Sequence, residues 1–244
     1  MKVAEYLSVN SECDQVGALY LTGENSENEE QIIDTLKISA DKIFRGPDII
    51  KDINHMEWFK GQEFDFLISV YWPWLFDKEV FDTVGKTINF HPALLPINRG
   101  WFPHVHSIID GTKTGVTIHE ISSGADTGKI WAQKEVPILE IDTAKEIYDR
   151  LQIEIVELFK ENWNDIQLGK INPEEQNEDH AVYHSKFEIE KFDYIDINKK
   201  YFAKDILNIL RARTFGDRGF AYYESNGEKI YIKINLAKNS KFID

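Results

Sequence analysis

Asn89, His91 and Asp126 have the side-chain types that acyl transfer to an amine requires. Because Asn89 and His91 are two residues apart, both side chains point the same way at the end of an extended strand. The asparagine amide can donate to a developing oxyanion, and the histidine can accept or pass on the amine proton. An aspartate beside the histidine can orient the imidazole and raise its pKa. This chemistry requires no serine or cysteine nucleophile.

The three side chains follow two predicted strands. Residues 87–89 predict a short buried strand that Pro92 stops. A second β-like run, residues 115–121, leads through a Ser-Ser-Gly-Ala turn to Asp126. In parallel α/β sheets, ligands bind at the edge where strands give way to loops. Taken singly, Asn89 suits a turn, His91 a loop and Asp126 a helix cap or turn, so the hypothesis depends on the three together.

Further elements must support these strands. The apolar run over residues 65–70 is near-continuous, which is typical of a strand buried on both faces of a parallel sheet. Thr143 and Glu146 form a capping box, and apolar residues at helical spacing predict an amphipathic helix to about Trp163. Additional strands are predicted over residues 16–21 and 130–138, and helices over residues 78–84 and the second half of 100–111.

The C-terminal part has a different pattern. Residues 169–178 are polar and contain Pro173, as expected of a linker. Beyond them the sequence predicts a helix over residues 203–211 and a hairpin around Asn226-Gly227, a strong type I′ turn signal. The fold class is therefore α/β, a Rossmann-like sheet followed by a small C-terminal α+β appendage that ends in a β-hairpin. We place the domain boundary at residue 180, which gives domains 1–180 and 181–244.

Composition excludes several classes of function. The 244 residues contain no apolar run long enough to span a bilayer, and the first residues turn polar too soon for a signal peptide. A single cysteine, Cys13, excludes an internal disulfide and fits the reducing cytoplasm. No basic residue adjoins Cys13, so we interpret it as an inert surface or packing cysteine.

Charge argues against nucleic acid as a partner. The net charge is −14, whereas phosphate backbones attract patches of lysine and arginine. Residues 1–180 carry 16 basic and 33 acidic groups, but residues 181–244 carry 12 basic and 9 acidic groups. The C-terminal domain is therefore the better place for a small anionic ligand, although a solvated surface of mixed charge explains the same counts.

The order and spacing of the motifs resemble a known family. Asn-Phe-His-Pro-Ala-Leu-Leu-Pro occupies residues 89–96, Asn-Arg-Gly residues 98–100, Gly-Val-Thr-Ile-His-Glu-Ile residues 115–121 and Asp-Thr-Gly residues 126–128. This string is similar to the formyltransferases that use 10-formyltetrahydrofolate. The resemblance covers about the first three quarters of the chain, less its beginning.

The resemblance implies a mechanism and separate roles for the two domains. Asn89, His91 and Asp126 would be the catalytic residues. Asn89 and a protonated His91 would stabilise the oxyanion, and Asp126 would keep His91 charged or help to move the proton off the amine. 10-Formyltetrahydrofolate would be the co-substrate, and no metal would take part. Residues 1–180 would form the catalytic domain, and residues 181–244 a small domain for nucleotide binding or dimerisation in a homodimer.

The segments outside the trio are most similar to nucleotide-sugar formyltransferases. They are Asn-Arg-Gly-Trp-Phe-Pro at residues 98–103, His-Ser-Lys at 184–186 and Leu-Arg-Ala-Arg-Thr at 210–214. This resemblance implies a dTDP-linked aminodideoxy sugar as acceptor, closest to dTDP-4-amino-4,6-dideoxyglucose, in a pathway such as that of lipopolysaccharide O-antigen. The alternative acceptor is a dTDP-3-amino-3,6-dideoxy sugar.

Other functions remain open at this stage. The short C-terminal part and the acidity of the chain disfavour methionyl-tRNA as acceptor, and no glycine-rich turn is present for glycinamide ribonucleotide. A formyltetrahydrofolate hydrolase would use the same site with water in place of the amine. A non-catalytic nucleotide-sugar binder is the second rival of a different class.

Residues 71–75 lie where the family binds the pterin ring of the folate. A flat heteroaromatic ring suits aromatic walls and backbone donors and acceptors. The alternative is that the two tryptophans pack a turn. The candidate folate contacts are Tyr71, Trp72, Pro73, Trp74 and Leu75.

Five residues are candidate contacts for the nucleotide sugar. Trp101 and Phe102 can stack on a base or face the sugar, although core packing explains them as well. Arg211 and Arg213 can pair with a diphosphate, or complement the helix dipole instead. Arg99 belongs to the segment that resembles the sugar enzymes.

Three further histidines are interpreted as structural rather than as metal ligands. The spacing of His104, His106 and His119 matches no zinc motif, and His119 falls within a strand pattern.

The family normally begins with a strand, a glycine-containing turn and a helix. Here residues 1–11 are more typical of the end of that helix, so the first strand is either missing or present in degenerate form at residues 1–7.

Overall fold

The computed structural model describes residues 1–9, 16–24 and 26–238. Cys13 lies outside these ranges. Within them, no helix has the length and apolar character that crossing a membrane requires.

The N-terminal part begins with a helix rather than a strand. Val3 and Leu7 of this helix are buried, and the ring of Tyr6 contacts that of Phe159 edge-on, with centroids 5.8 Å apart. Residues 1–7 therefore do not form a degenerate strand. The elements here are α1 (Lys2–Val9), β1 (Leu19–Leu21), α2 (Glu29–Leu36), β2 (Ile43–Arg45) and α3 (Ile53–Gly61), and β1 pairs with β2 in parallel.

A four-stranded mixed sheet holds the predicted site. Its neighbourhood comprises β3 (Phe66–Val70), α4 (Lys78–Phe81), β4 (Lys86–His91), β5 (Arg99–Gly100), α5 (Pro103–Asp110), β6 (Thr114–His119) and β7 (Ile130–Val136). The strand order is β3-β4-β6-β7, with β3 parallel to β4 and the other two pairs antiparallel. The predicted strands over residues 87–89, 115–121 and 130–138 are thus confirmed, with small differences in their ends.

The prediction that residues 65–70 form a strand buried on both faces is wrong. Among the described residues β3 pairs only with β4, so it is an edge strand of this sheet. Leu67 and Ile68 are half-buried, and Val70 is 44% exposed. Both faces of a strand are buried only where other elements cover both faces of the sheet, and β3 is not covered in this way at Val70.

The long helix α6 (Ala144–Gln167) covers the sheet. Thr143 and Glu146 form the predicted capping box. The apolar stripe of the helix is fully buried, and it runs one turn beyond Trp163, the predicted end. Because these side chains pack against β4 and β6, the stripe fixes the sheet that carries the site. Its most deeply buried members are Ile147, Leu151, Ile155, Phe159 and Ile166.

The C-terminal part contains β8 (Tyr183–His184), α7 (Ala203–Ala212), β9 (Thr214–Phe215), β10 (Arg218–Gly219), β11 (Tyr222–Ser225) and β12 (Glu228–Tyr231). The predicted hairpin is confirmed, since Asn226 and Gly227 both have positive φ, 52° and 82°, as a type I′ turn requires. The α/β fold with an α+β appendage is confirmed as well. β8 pairs with β5, so residues 183–184 of the second predicted domain hydrogen-bond to residues 99–100 of the first. The domain boundary at residue 180 stays a prediction.

Candidate active site

The end of β4 brings the three predicted catalytic side chains together. Asn89 and His91 leave β4 on the same side, and the loop after β6 returns Asp126 to them. The Oδ2 atom of Asp126 lies 3.4 Å from Nδ1 of His91. The Oδ1 atom of Asp126 lies 3.4 Å from Nδ2 of Asn89. An amide, an imidazole and a carboxylate are thus within contact distance at the edge of the sheet.

Asp126 is ionised in this environment. Its side chain is only 14% exposed, and burial alone would raise its pKa. The attraction of His91, the contacts of His119 and the backbone N–H of Gly100 outweigh burial and hold the pKa well below its usual range. The Gly100 N–H donates to Oδ2 of Asp126 at 2.8 Å.

Burial favours the neutral form of His91 in the free protein. Burial lowers its pKa below the ordinary value of 6.5, even though Asp126 attracts a proton to it. Its Nε2 atom lies 2.9 Å from the carbonyl oxygen of Asn98, which only an N–H can satisfy, so Nε2 carries the hydrogen. In the neutral ring, Nδ1, which faces Asp126, then has a lone pair. Burial therefore opposes the predicted charge on His91, and the roles of His91 and Asp126 stay predictions.

His119 completes the cluster, although its position in a strand pattern predicted only a structural role. It pairs with Asn89 in the register of β4 and β6 and is 2% exposed. Its Nδ1 atom faces the Glu120 carbonyl at 2.7 Å, so Nε2 is free to accept from Nδ2 of Asn89 at 3.2 Å. The signal that would have found it is the antiparallel register, which the sequence alone does not show.

The backbone around the site is held in unusual conformations. Eight non-glycine residues in the described ranges have positive φ, and four of them border the site: Tyr71, Asn98, Phe102 and Asp126. Each costs on the order of 1–2 kcal/mol, so the surrounding structure must hold it in place. A Cβ at Gly128 would lie 1.8 Å from the carbonyl oxygen of Glu120, so only glycine lets the loop carrying Asp126 close against β6.

Arg99 supports the loop of Asp126 from within the protein. It is 5% exposed, and its guanidinium donates to Oε1 of Gln176 at 2.7 and 3.1 Å and to Glu178. The amide of Gln176 in turn donates to the carbonyl oxygens of Asp126 at 2.8 Å and Gly128 at 2.6 Å. The prediction that Arg99 binds substrate is not supported, because its donors are engaged beneath the site. Sequence analysis missed Gln176.

Replacing Gln176 with alanine is expected to lower kcat about tenfold and to destabilise the fold by about 2–3 kcal/mol, because buried polar groups lose their partners. The affected groups are the Asp126 and Gly128 carbonyls and the Arg99 guanidinium. Urea unfolding and steady-state kinetics measure the two effects. The exposed neighbour Glu175, replaced by alanine, is the control and should leave both quantities near wild type. A Gln176→Ala protein of wild-type kcat would contradict this role.

Arg211 and Arg213 are also engaged within the protein. The guanidinium of Arg211 donates to the carbonyl oxygens of Asp142 at 2.8 Å and Leu139 at 2.7 Å. Arg213 is 6% exposed and pairs with Asp193. These contacts join α7 to the rest of the chain, so the predicted pairing of either arginine with a diphosphate is not supported.

The segment predicted to bind the pterin ring lies beside the trio. Val70 pairs with Phe90 in the register of β3 and β4, so Tyr71 comes at the level of His91. Trp72 is half-buried and stacks on Phe76. Its indole N–H is buried and has no hydrogen-bond partner in the described ranges.

The rest of this segment is open to solvent. Tyr71 is 39% exposed, Trp74 40% and Leu75 60%, and Pro73 is exposed as well. Trp72 therefore anchors the turn, while its neighbours present apolar surface next to an unused donor. That combination fits a flat heteroaromatic ligand.

Trp101 and Phe102 are half-buried at the start of α5. Phe102 packs on the main core, so part of its surface is structural. Trp101 has the exposed Lys186 ammonium 4.8 Å from its ring centroid. Lys186 belongs to the segment 184–186 that resembles the sugar enzymes, but it was not among the predicted contacts. An indole and an ammonium together can contact a base and a phosphate.

No metal is assigned to the remaining histidines. Among the described residues, His106, Asp110 and His184 form a group whose potential ligand atoms lie within 4.8 Å of one another. Both ring nitrogens of His184, however, already face oxygen atoms, of Asn98 and of Glu188, each at 3.0 Å. His184 is therefore already used within the protein.

His104 and His106 make stability depend on pH. Burial lowers the pKa of each from 6.5 to about 4. The unfolded chain therefore binds protons that the folded protein does not, so stability present above pH 6.5 is lost as the pH falls toward 4. For the deeply buried His104 the loss is on the order of 3 kcal/mol.

Thermal unfolding between pH 7.5 and pH 4.5 measures this dependence. We expect the midpoint temperature to fall steadily below pH 6.5. In a His104→Phe variant, which retains an aromatic ring beside Tyr148 and Phe215, the fall should be smaller. Equal pH dependence in both proteins would contradict the assignment.

Two family models match the chain. The formyl transferase model matches residues 50–161, a range that contains the three clustered side chains. The model of the N-formyltransferase dimerization C-terminal domain matches residues 188–238, which contain α7 and the terminal hairpin.

Individual relatives agree with both matches. A dTDP-4-amino-4,6-dideoxyglucose formyltransferase from Mycobacterium tuberculosis (strain ATCC 25618 / H37Rv) is 34% identical over 176 residues, which are 72% of this chain and 74% of that protein. The structure of a 4-N formyltransferase from Francisella tularensis has a TM-score of 0.81 at 27% identity, covering 98% of this chain and 94% of that one. A formyltransferase from Anoxybacillus kamchatkensis, in complex with UDP-4,6-dideoxy-4-formamido-L-AltNAc and tetrahydrofolate, has a TM-score of 0.59 at 28% identity, covering 80% and 98%.

Proposed function

Because the chain belongs to the formyl transferase family and is an N-formyltransferase, we propose that it formylates a dTDP-linked aminodideoxy sugar. The formyl donor is 10-formyltetrahydrofolate, and the acceptor is dTDP-4-amino-4,6-dideoxyglucose. The observation that carries the proposal is the cluster of Asn89, His91 and Asp126, in which Nδ1 of His91 lies 3.4 Å from the carboxylate. That cluster accepts a proton and binds a developing oxyanion, the two tasks of formyl transfer to an amine.

His91 acts as the base. The unprotonated amine nitrogen attacks the formyl carbon, and the bond between that carbon and N10 of the folate breaks. One amine proton goes to Nδ1 of His91 and from there to N10, so the reaction balances without a further reactant. The imidazolium formed in between lies next to the carboxylate of Asp126, which stabilises it.

Asn89 binds the oxygen on which negative charge develops. Its Nδ2 atom is 3.2 Å from Nε2 of His119 and 3.4 Å from Oδ1 of Asp126, both long for hydrogen bonds. A stronger acceptor nearby can therefore take one of these hydrogens. His119 orients the Asn89 amide, and its long hydrogen bond to Nδ2 is weak enough to be replaced by one to the oxyanion.

Residues 71–75 bind the pterin. The donor supplies an activated formyl group, and the chain supplies the aromatic surface of Tyr71 and Trp74 with the unpartnered N–H of Trp72. Support from a relative comes from the Anoxybacillus enzyme, whose structure contains tetrahydrofolate. Neither task requires a metal.

We place the nucleotide sugar at Trp101 and Phe102, which follow Gly100, the residue whose N–H bonds Asp126. We assign the diphosphate to Lys186, whose ammonium lies 4.8 Å from the centroid of the Trp101 ring. The 34% identical relative acts on the 4-amino sugar, which favours that acceptor over the 3-amino alternative. The net charge of −14 opposes methionyl-tRNA.

We assign residues 1–180 to catalysis and residues 181–244 to dimerisation and nucleotide binding. The match of residues 188–238 to a dimerization domain supports a homodimer. Exposed apolar side chains in this part, such as Phe202 and Tyr231, suit an interface between two copies. We place the enzyme in the cytoplasm.

A formyl-transfer assay tests the proposal. The purified protein is mixed with 10-formyltetrahydrofolate and either the 4-amino or the 3-amino dTDP-dideoxy sugar, and tetrahydrofolate release and sugar mass are followed. We expect a formyl mass gain on the 4-amino sugar, with kcat/KM at least about tenfold above that for the 3-amino sugar. A preference for the 3-amino sugar would overturn the assigned acceptor.

Two further outcomes separate the rivals of other classes. Tetrahydrofolate release that is unchanged when the sugar is omitted would favour the hydrolase. Binding of the nucleotide sugar by a folded protein, without turnover of any acceptor, would favour the non-catalytic binder. Either result would overturn the proposed reaction.

A further inference from the structure

We propose that His184 is a positioning residue for His91, acting through Asn98 across the boundary between the two predicted domains. His184 does not touch the reacting atoms. It holds the one residue whose carbonyl oxygen fixes the hydrogen of the catalytic imidazole. The effect on rate rests on the proposed function, whereas the effect on the imidazole does not.

Two buried hydrogen bonds connect the histidines. Nε2 of His91 donates to the backbone oxygen of Asn98 at 2.9 Å. Nε2 of His184 donates to the side-chain oxygen of the same Asn98 at 3.0 Å. All three residues are at least 90% buried, so water does not substitute for either bond.

The orientation of the Asn98 side chain is fixed by its hydrogen bonds. Its backbone has a φ of 59°, which asparagine tolerates better than most residues. Its Nδ2 donates to Oγ of Ser107 at 2.9 Å and to Oγ1 of Thr112 at 3.2 Å. With both amide hydrogens used, only the Oδ1 atom remains, and His184 is its donor. A buried amide oxygen that lost this donor would be driven to rearrange.

The position of the Asn98 carbonyl decides which nitrogen of His91 carries the hydrogen. With the carbonyl in place, the hydrogen is on Nε2, and the neutral ring has its lone pair on Nδ1, which faces Asp126. In the proposed reaction this lone pair accepts the amine proton. A carbonyl displaced by about 1 Å would release the opposite tautomer, whose Nδ1–H bonds the carboxylate. That form has no lone pair toward the amine, and misplacement of this size costs on the order of a hundredfold in rate.

His184 is itself tightly held. Its Nδ1 bonds Oε2 of Glu188 at 3.0 Å, and its ring stacks on that of His106 with centroids 3.5 Å apart. Its backbone oxygen accepts from the N–H of Trp101 at 3.0 Å. The C-terminal segment thus reaches the catalytic base through a chain of fixed contacts rather than through a mobile loop.

A donor-removing and a donor-keeping variant test the proposal. His184→Leu removes the donor to Asn98, whereas His184→Gln keeps an N–H at about the same reach. We expect kcat to fall about 10- to 100-fold in the leucine variant with KM within about threefold, and to stay within about threefold of wild type in the glutamine variant. Leu7→Ala, in α1, is the control for lost stability and should keep wild-type kcat.

Nitrogen-15 NMR of histidine-labelled protein supplies a readout independent of activity. Wild type should show the hydrogen of His91 on Nε2, and His184→Leu should show partial or complete loss of that tautomer. A wild-type spectrum with the hydrogen on Nδ1 alone would overturn the inference, even if no His184 variant folds. Equal kcat in the leucine and glutamine variants would overturn it too. A wild type that transfers no formyl group but shows the Nε2 tautomer would instead count against the proposed function alone.

Discussion

Replacing His91 with alanine is expected to lower kcat by about a thousandfold or more, since a positioned general base contributes roughly 10²–10⁴-fold. Within the described ranges His119 is the other imidazole at the cluster, and its Nε2 is occupied by Asn89. Its Nδ1 faces the Glu120 carbonyl, so it cannot replace the lost base. KM for the sugar should change little, because the ring is buried beneath the site rather than in contact with the nucleotide.

The control for this prediction is His55→Gln. His55 is also buried with a lowered pKa, but it bonds Tyr20 in a separate cluster. This variant should keep wild-type kcat while testing the general effect of losing a buried histidine. Circular dichroism and urea unfolding establish that each variant is folded. A folded His91→Ala protein with kcat within tenfold of wild type would remove His91 from the mechanism.

Replacing Asp126 with asparagine is expected to lower kcat by about 10³–10⁴-fold, the scale seen when a carboxylate that orients a catalytic histidine is neutralised. The amide cannot stabilise the imidazolium that forms when His91 accepts the amine proton. It can also donate to Nδ1 of His91 and block the lone pair that must act as base. The overall shape is retained, because an amide oxygen can still accept from the Gly100 N–H.

The pH dependence of kcat/KM distinguishes the loss of the Asp126 charge from a change in the shape of the site. In wild type, kcat/KM should fall as the pH drops through the pKa of His91, which burial places below 6.5. Without the negative charge of Asp126, that pKa falls further, so the residual activity of Asp126→Asn should persist to lower pH than wild type. An acid limb at the same pH in both proteins would contradict the direct influence of Asp126 on His91.

The local part of the site could be predicted from sequence. Asn89 and His91 project together because a strand has a period of two, and Pro92 ends that strand as expected. The capping box of α6 and the Asn226-Gly227 turn are equally local, and both formed where predicted. Short-range patterns carry their own physical cause, so they need no knowledge of the rest of the chain.

The partners of the site could not be predicted in the same way. Gln176 is 50 residues from Asp126, and His184 is 86 residues from Asn98. Arg99 is a further example. Its sequence context predicted a substrate contact, but in the structure its guanidinium bonds Gln176 and Glu178. Such contacts depend on strand order and register, which residue type and periodicity do not encode.

The central claim is that the formyl group passes directly to the sugar amine at the cluster of Asn89, His91 and Asp126. A single-turnover reaction with enzyme in excess, using 10-formyltetrahydrofolate labelled with carbon-13 in the formyl group, tests it most directly. Carbon-13 NMR of the quenched mixture should show the label as a formamide on the sugar nitrogen in wild type, and unreacted donor in His91→Ala. Label appearing as free formate in wild type would contradict the claim.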